Sequence, residues 1–369
     1  MFVHKTALPM LLAPRDYVDA STFEAEKKSV FANAWRYVCL ARQLAEPGDQ
    51  FALQIDGTPV VVRNVDGTLR AFRNVCAHRH SLIARDGASN ADVLRCQYHG
   101  WEYGSDGRVA KVPDGRSFKG IKPASMCLDT FRVDTFAHVV FVNLAPGTAS
   151  FRDDLGELAP ELDKFYGATE LYTAAEATHE INWKVICENA VESYHVPLVH
   201  QQTFANYRDE RFHEHRLRAR YTSYRDIEPW SSSWFARASQ IVTRLTLRAP
   251  TMQRFTHTHV FPNILLYYRD LVADMIVIEP LGPMRSRQLM HLYVPTDVRI
   301  PAIQMPLVRA YTALWSRLGA KIVAEDRAAW AGVQEGMKHS THAGILSARE
   351  ERVYHFQKWI AERLGRDVG

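Results

Sequence analysis

Two short segments constrain this chain more than anything else in it. Cys76-Ala77-His78 is followed, seventeen residues on, by Cys96-Gln97-Tyr98-His99-Gly100-Trp101. Two thiolates and two imidazoles can hold a metal centre, so the fold must bring both segments to one point. Zinc fingers usually pair Cys with Cys and His with His. Here each segment supplies one of each. That mixed pairing suits a [2Fe–2S] cluster whose irons differ, with Cys76 and Cys96 on one and His78 and His99 on the other. Neutral imidazoles in place of thiolates raise such a cluster's potential. Gly100 lets the backbone turn closely beside it. A structural zinc is the competing reading.

The surroundings suit two loops carried on hairpins. From about residue 40 to 146, short β-branched runs alternate with turn dipeptides, among them Asp56-Gly57, Asp66-Gly67 and Asp106-Gly107. Asp-Gly tolerates the positive φ that two-residue hairpins require. Ala137–Leu144 reads as the closing strand. Ahead of this module an opening helix is expected from about residue 22, with Ser21 and Glu24 at capping-box spacing. After it come a helix from Ser150 to about Phe165 and another over Asn182–Tyr194 that Pro197 stops. Strands follow at His257–Tyr268, Asp274–Glu279 and Gln288–Val294, a helix over 301–337, and a last amphipathic helix from Ser347–Glu350 to Gly365. The expected organisation is α+β: a helical segment over 1–40 that packs on the last domain, an all-β domain over 41–148, and a domain with an antiparallel sheet over 149–369.

Composition excludes several classes. Apolar residues make up 47% and charged residues 23% of the 369, which argues against dominant disorder. Lys+Arg number 45 against 41 Asp+Glu, so no nucleic acid or anionic membrane is called for. No apolar run reaches the ~18 residues that would span a bilayer, and the N-terminal stretch is too short and Pro-interrupted for a signal peptide. Five cysteines, an odd number, argue against a disulfide framework. Cys39, Cys127 and Cys187 are expected as buried apolar residues, and the protein as cytoplasmic.

A second constellation lies in the last domain. Glu188, Glu192 and His195 fall on one face of the expected helix, and a short excursion after Pro197 can return His200 beside His195. Ala324-Glu325-Asp326-Arg327, on a helix some 125 residues later, offers a carboxylate from Asp326 or from Glu325. Two histidines and one carboxylate make the facial triad of non-haem Fe(II) oxygenases, with positions left open. A carboxylate at Glu192 can accept the free N–H of a ligating imidazole. His257 and His259 are read as polar wall or strand residues rather than ligands. His213 and His215 fall in a charged stretch, Arg208–Arg220, expected as an exposed loop or helix.

In order and spacing, the Rieske-type C-x-H…C-x-x-H-G-W, then N-W-K…E-N-x-x-E-S-Y-H-x4-H, then E-D-x-x-x-W-x-x-x-Q-x-G, resemble the α (terminal oxygenase) subunit of Rieske non-haem iron oxygenases over roughly residues 20–340. One departure is His80, which stands where the family usually has glycine in C-x-H-R-G. The resemblance implies an N-terminal Rieske domain and a helix-grip-like catalytic domain. It implies that His195, His200 and Asp326 bind a mononuclear iron, Asp326 being favoured by Gln334 eight residues on. It implies that Glu192 bridges, between subunits of a homotrimer, a cluster histidine of one chain and an iron-binding histidine of the next. Glu rather than Asp at that place resembles the carnitine- and betaine-type branch. The expected activity is hydroxylation or oxidative demethylation of a small organic substrate with O2. Electrons would come indirectly from NAD(P)H through a separate ferredoxin or flavin reductase, since the chain shows no nucleotide-binding fingerprint of its own. Alternatives are a cis-dihydroxylating ring dioxygenase, a non-catalytic Rieske electron-transfer protein, and a zinc-stabilised ligand-binding protein.

Overall fold

The structure, a computed structural model, describes residues 2–201, 203, 213–226, 241, 242, 245, 255–269, 271–296 and 300–368. It divides into two compact units, residues 31–159 and residues 1–30 with 160–369. The first is wider at both ends than the sequence boundaries of 41 and 148. Its extra length has a physical use: the strand at 36–40 joins the sheet, and Phe151 stacks on Phe141 within the unit.

The chain enters through helix α1 (Ala20–Ser29), capped by Asp19 rather than Ser21, since the Asp19 carboxylate accepts the Ser21 N–H. The first unit holds strands β1 (Arg36–Leu40), β2 (Asp49–Ile55), β3 (Thr58–Val65), β4 (Thr68–Arg73), β5 (Gly87–Asn90), β6 (Leu94–Arg95), β7 (Glu102–Tyr103), β8 (Val109–Lys111), β9 (Thr130–Phe136) and β10 (Val139–Asn143). Seven form an antiparallel sheet in the order β1-β10-β9-β4-β3-β2-β5, and β6-β7-β8 form a second. Asp56-Gly57 and Asp66-Gly67 both take positive φ and join β2 to β3 and β3 to β4. Alternation along β3 serves two cores. Val60 and Val62 pack with Val38, Ile55 and Val140. Val61 points the other way, into a core with Phe72, Trp101, Tyr103, Cys76 and Cys96. Both cysteine loops are thus fixed by apolar packing.

In the second unit, β11 (Thr169–His179), β12 (His213–Leu217), β13 (Tyr221–Asp226), β14 (Thr256–Val260), β15 (Ile264–Arg269), β16 (Val272–Gly282) and β17 (Arg285–Pro295) form a seven-stranded antiparallel sheet. Their order is β11-β17-β16-β15-β14-β13-β12. The expected single strand His257–Tyr268 is a hairpin, turned at Phe261–Asn263. His213–Leu217 form the edge strand rather than a loop or helix, and His213 is buried; residues 208–212 of that stretch lie outside the described residues. The described residues also include helices α2 (Phe151–Leu155), α3 (Ala159–Tyr166), α4 (Trp183–Val191), α5 (Val196–Val199), α6 (Met305–His339) and α7 (Glu351–Arg363). Ser347 and Glu350 make the expected capping box ahead of α7.

Two side-chain sets tie helices together in this unit. Lys184 on α4 and Glu26 on α1 form an ion pair of 2.5 Å with side chains 0% and 1% exposed, and Trp183 Nε1 donates to the same carboxylate. Trp330 Nε1 on α6 donates to Asn189 Oδ1 on α4, and Gln334 Oε1 accepts the Asn182 N–H. Asp326, Trp330 and Gln334, four apart, are buried on one face of α6. This ladder fixes where Asp326 stands relative to the end of α4. Among the described residues, no helix is long and apolar enough to cross a membrane.

Candidate functional site

Cys76 and Cys96 are buried, His78 is half-buried and His99 is exposed. The His78 and His99 rings stand edge to face with centroids 4.7 Å apart. The two loops close in the same way. The His80 N–H donates to Cys76 O and the Gly100 N–H to Cys96 O, both at 3.0 Å, and both donors have positive φ. His80 therefore holds the backbone shape that glycine adopts more freely, and its side chain is exposed.

The four residues are packed and oriented by neighbouring aromatic side chains. Tyr103 Oη donates to Cys76 Sγ at 3.1 Å and accepts the Ala77 N–H. The His78 ring stacks on Trp101 at 5.0 Å and meets the edge of Phe118 at 5.5 Å. Its Nδ1 is buried and has no hydrogen-bond partner among the described residues. Desolvation, then His99 and Arg79, hold the His78 pKa below the usual value, which favours the neutral, ligating imidazole. A buried ring nitrogen without a partner, beside two buried thiols and a second imidazole, fits the donor set of a Rieske cluster. Cys39 and Cys187 are buried, as expected of small apolar residues, and burial raises the Cys39 thiol to about 12. Cys127 departs from that expectation: it is exposed, at the surface bridge to Arg108.

The second constellation is assembled differently from the helix face the spacing suggests. α4 ends at Val191, and Glu192 caps it with extended backbone, φ −117° and ψ 166°. Glu188, still inside the helix, turns instead to Tyr17 Oη at 2.6 Å and Gln357 Nε2 at 3.1 Å. Pro197 does not stop a helix but lies in the first turn of α5, where its missing N–H costs nothing. His195 and His200 flank this four-residue helix, with ring centroids 5.3 Å apart.

Each imidazole is held from behind by a carboxylate. Glu192 Oε1 pairs with His195 Nδ1, while its other oxygen accepts the Tyr194 and His195 N–H groups. Glu325 Oε2 pairs with His200 Nδ1 at 2.8 Å and accepts Thr203 Oγ1 at 2.7 Å. Both Nδ1 atoms are engaged, so both Nε2 atoms face forward. They meet Asp326 Oδ1, 3.6 Å from His195 Nε2 and 3.1 Å from His200 Nε2. Among the described residues, no hydrogen bond reaches that buried oxygen. His195, His200 and Asp326 each offer one ligand atom, all within 4.8 Å of one another.

Two ring lone pairs and a carboxylate oxygen that converge without a donor call for a positive charge. Burial opposes charge on His200, but Asp326 and Glu325 outweigh it and raise its pKa. Burial likewise opposes charge on Glu325, yet His200 and Thr203 hold its pKa low. A divalent transition metal fits the same need, with two nitrogens, one oxygen and open positions. Glu325 therefore supports a ring rather than joining the convergent set.

His257 and His259 stay out of this group. His259 Nε2 donates to Pro262 O at 2.7 Å, and His257 stacks on Tyr267 at 4.2 Å and receives Arg352. Burial pushes the His259 pKa down to about 3. His215 Nδ1 pairs with the buried Glu351 at 2.8 Å. Tyr103 and the backing role of Glu325 were not anticipated from sequence. The signals were there: Tyr103 lies two residues after Trp101, and both enter the core that holds Cys76 and Cys96, and Glu325 directly precedes Asp326.

A family model described as the catalytic domain of the ring-hydroxylating alpha subunit matches residues 168–366, and one described as the Rieske [2Fe-2S] domain matches residues 34–132. The alpha subunit of 2-aminobenzenesulfonate 2,3-dioxygenase from Alcaligenes sp. is 28% identical over 85% of this chain and 81% of its own. The carnitine monooxygenase oxygenase subunit of Escherichia coli K12 is 34% identical, over 50% of this chain and 51% of its own, so that match spans about half of each protein. Among solved structures, the quaternary ammonium Rieske monooxygenase CntA superposes with a TM-score of 0.72 at 23% identity, covering 97% of this chain and 95% of that one. Naphthalene 1,2-dioxygenase from Rhodococcus sp. gives 0.70 at 18% identity, over 96% and 95%.

Proposed function

The chain belongs to the Rieske non-haem iron oxygenases, as an α subunit with a Rieske domain ahead of a catalytic domain, and on that premise we propose that it is the terminal oxygenase of a system that hydroxylates or oxidatively demethylates a small organic substrate. The family's cofactors are a [2Fe–2S] cluster and a mononuclear iron. In this reading Cys76, Cys96, His78 and His99 hold the cluster, and His195, His200 and Asp326 hold the iron. Bound there, the iron supplies the O2 activation that no side chain can provide.

The residues do the rest. Glu192 and Glu325 fix the ring orientation and tautomer of His195 and His200, raising their basicity as ligands. Asp326 would supply the one anionic ligand of the set. Glu192 also serves as the bridge to a cluster histidine of a neighbouring subunit, in a homotrimer. Electrons come from NAD(P)H through a separate ferredoxin or flavin reductase. A cytoplasmic setting accords with the five cysteines, none of them in a disulfide.

The observation that carries this reading is the convergence of two imidazole nitrogens with a buried carboxylate oxygen that no hydrogen bond from a described residue reaches. Hydroxylation is preferred to dihydroxylation because Glu, not Asp, occupies position 192. The second reading, cis-dihydroxylation, is favoured by the dioxygenase relative that aligns over most of the chain. Turnover under ¹⁸O₂ separates them, with a reconstituted reductase and a substrate panel that starts from carnitine and 2-aminobenzenesulfonate. One labelled oxygen in the organic product supports hydroxylation. Two in a cis-diol overturn it, and the absence of any oxygenated product across the panel while O2 is consumed contradicts both.

A further inference from the structure

We propose that the loop from Asp114 to Lys122 is the docking surface for an acidic electron-donor protein. The proposal rests on the reading that electrons arrive from a separate donor, and names where on this chain that donor lands.

The charge is local. Residues 108–122 carry five basic residues, Arg108, Lys111, Arg116, Lys119 and Lys122, against Asp114 alone. That excess of four equals the net charge of the entire chain, +4. Two of the five are already answered: Arg108 pairs with Asp106 at 3.3 Å and Lys111 with Glu102 at 3.4 Å. Arg116, Lys119 and Lys122 are exposed, and their side chains make no ion pair or hydrogen bond to any described residue. The loop's one acid, Asp114, accepts Ser117 Oγ at 2.5 Å within the loop. Between the lysines, Ile121 is 39% exposed. A small apolar centre with a basic rim matches the anatomy of a transient interface, where charge steers encounter and sets orientation.

The position is also right for its purpose. Phe118, in the middle of the loop, packs edge-on against the His78 ring at 5.5 Å and against Trp101 at 5.6 Å. A partner seated on the loop is one side chain away from a cluster-ligand imidazole. The exposed His99 side carries Tyr98 and Leu82, 57% and 45% exposed, and stays available for the neighbouring subunit. One electron leaves the donor, which is oxidised, and reduces one ferric ion of the cluster; no atom changes hands.

The test uses the holoenzyme and, as the probe, an oxidised plant-type [2Fe–2S] ferredoxin, an acidic protein. Binding is titrated calorimetrically over a range of salt concentrations, with a triple variant R116E/K119E/K122E and a control triple variant K28E/R317E/K338E on the other unit. Expected is a weakening of about tenfold or more for the loop variant at low salt, converging with the unmodified chain as salt screens the attraction. The control should keep its affinity within about twofold, since charge removed away from the contact has little local effect. Equal affinity and salt dependence in the loop variant, or no measurable binding to the unmodified chain, overturns the docking surface. The reduced Rieske EPR signal after dithionite, recorded on the same samples, must be unchanged by the loop substitutions. Its absence from the unmodified chain would instead undo the functional reading on which the proposal rests.

Discussion

Asp326 and Glu325 are adjacent on one helix, yet their carboxylates end in different places. Successive helical residues point about 100° apart, so Asp326 reaches the forward nitrogens of His195 and His200 while Glu325 reaches the back of His200. This explains why the sequence leaves two carboxylates in competition: spacing places both near the histidines, but only the direction of each side chain separates ligand from support. The cluster residues were easier to read. Four residues of two chemistries in two short segments admit few arrangements, and Cys76, His78, Cys96 and His99 come together from them. Glu325→Gln keeps the size of the side chain but weakens the acceptor behind His200 Nδ1. Loss of such a partner typically weakens metal affinity about 10–100-fold, read as the Fe(II) concentration that half-restores activity to the iron-stripped variant. The [2Fe–2S] spectrum should not change.

Elements were legible where local chemistry alone decides them. The Asp-Gly hairpins and the final capped helix form where the turn and cap residues stand. The end of α4 was not legible, because nothing in Asn182–Tyr194 forbids helix up to Tyr194. What ends it is a gain made elsewhere: extended Glu192 brings its carboxylate to the His195 ring and to two backbone N–H groups. The edge strand at His213–Leu217 was hidden for a similar reason, its charged residues being matched by partners distant in sequence, such as Glu351 and Glu161. α4 also yields two stability predictions. Glu26→Gln leaves Lys184 buried without its counter-ion, which costs about 3–5 kcal/mol in such pairs, measurable as a lowered denaturant midpoint. The paired change Glu26→Met with Lys184→Met should recover much of that loss. Glu188 is a different case. Burial outweighs its hydrogen bonds to Tyr17 and Gln357 and lifts its pKa to about 7. A carboxyl whose folded pKa is raised stabilises the fold below its unfolded value, and that contribution is lost as pH rises through about 7. Glu188→Gln, which keeps an acceptor for both partners, should therefore remove this decline. It should be more stable than the unmodified chain at pH 8 by up to about 3 kcal/mol, and no more stable at pH 4. Thermal unfolding across that range checks the sign.

At the scale of the molecule, each unit builds a separate candidate metal site, and the order of the two was visible in the sequence because each motif lies whole within one unit. The antiparallel sheets and the matched family models agree with the α+β reading. The substrate was not legible, since it depends on which side chains of seven strands border a cavity, and alternation along a strand offers two sets of equal standing. The central claim is that this one chain holds a cluster at Cys76, His78, Cys96 and His99 and a separate iron at His195, His200 and Asp326. The most direct test is iron and acid-labile sulfide analysis, with EPR of the dithionite-reduced protein, on the anaerobically prepared chain and its Asp326→Ala variant. The account predicts about three irons and two sulfides per chain, falling to about two irons in the variant with the Rieske signal and sulfide content intact. A third iron that survives in the variant would contradict the assignment of Asp326, and a colourless chain holding zinc at the cysteines would contradict the account as a whole.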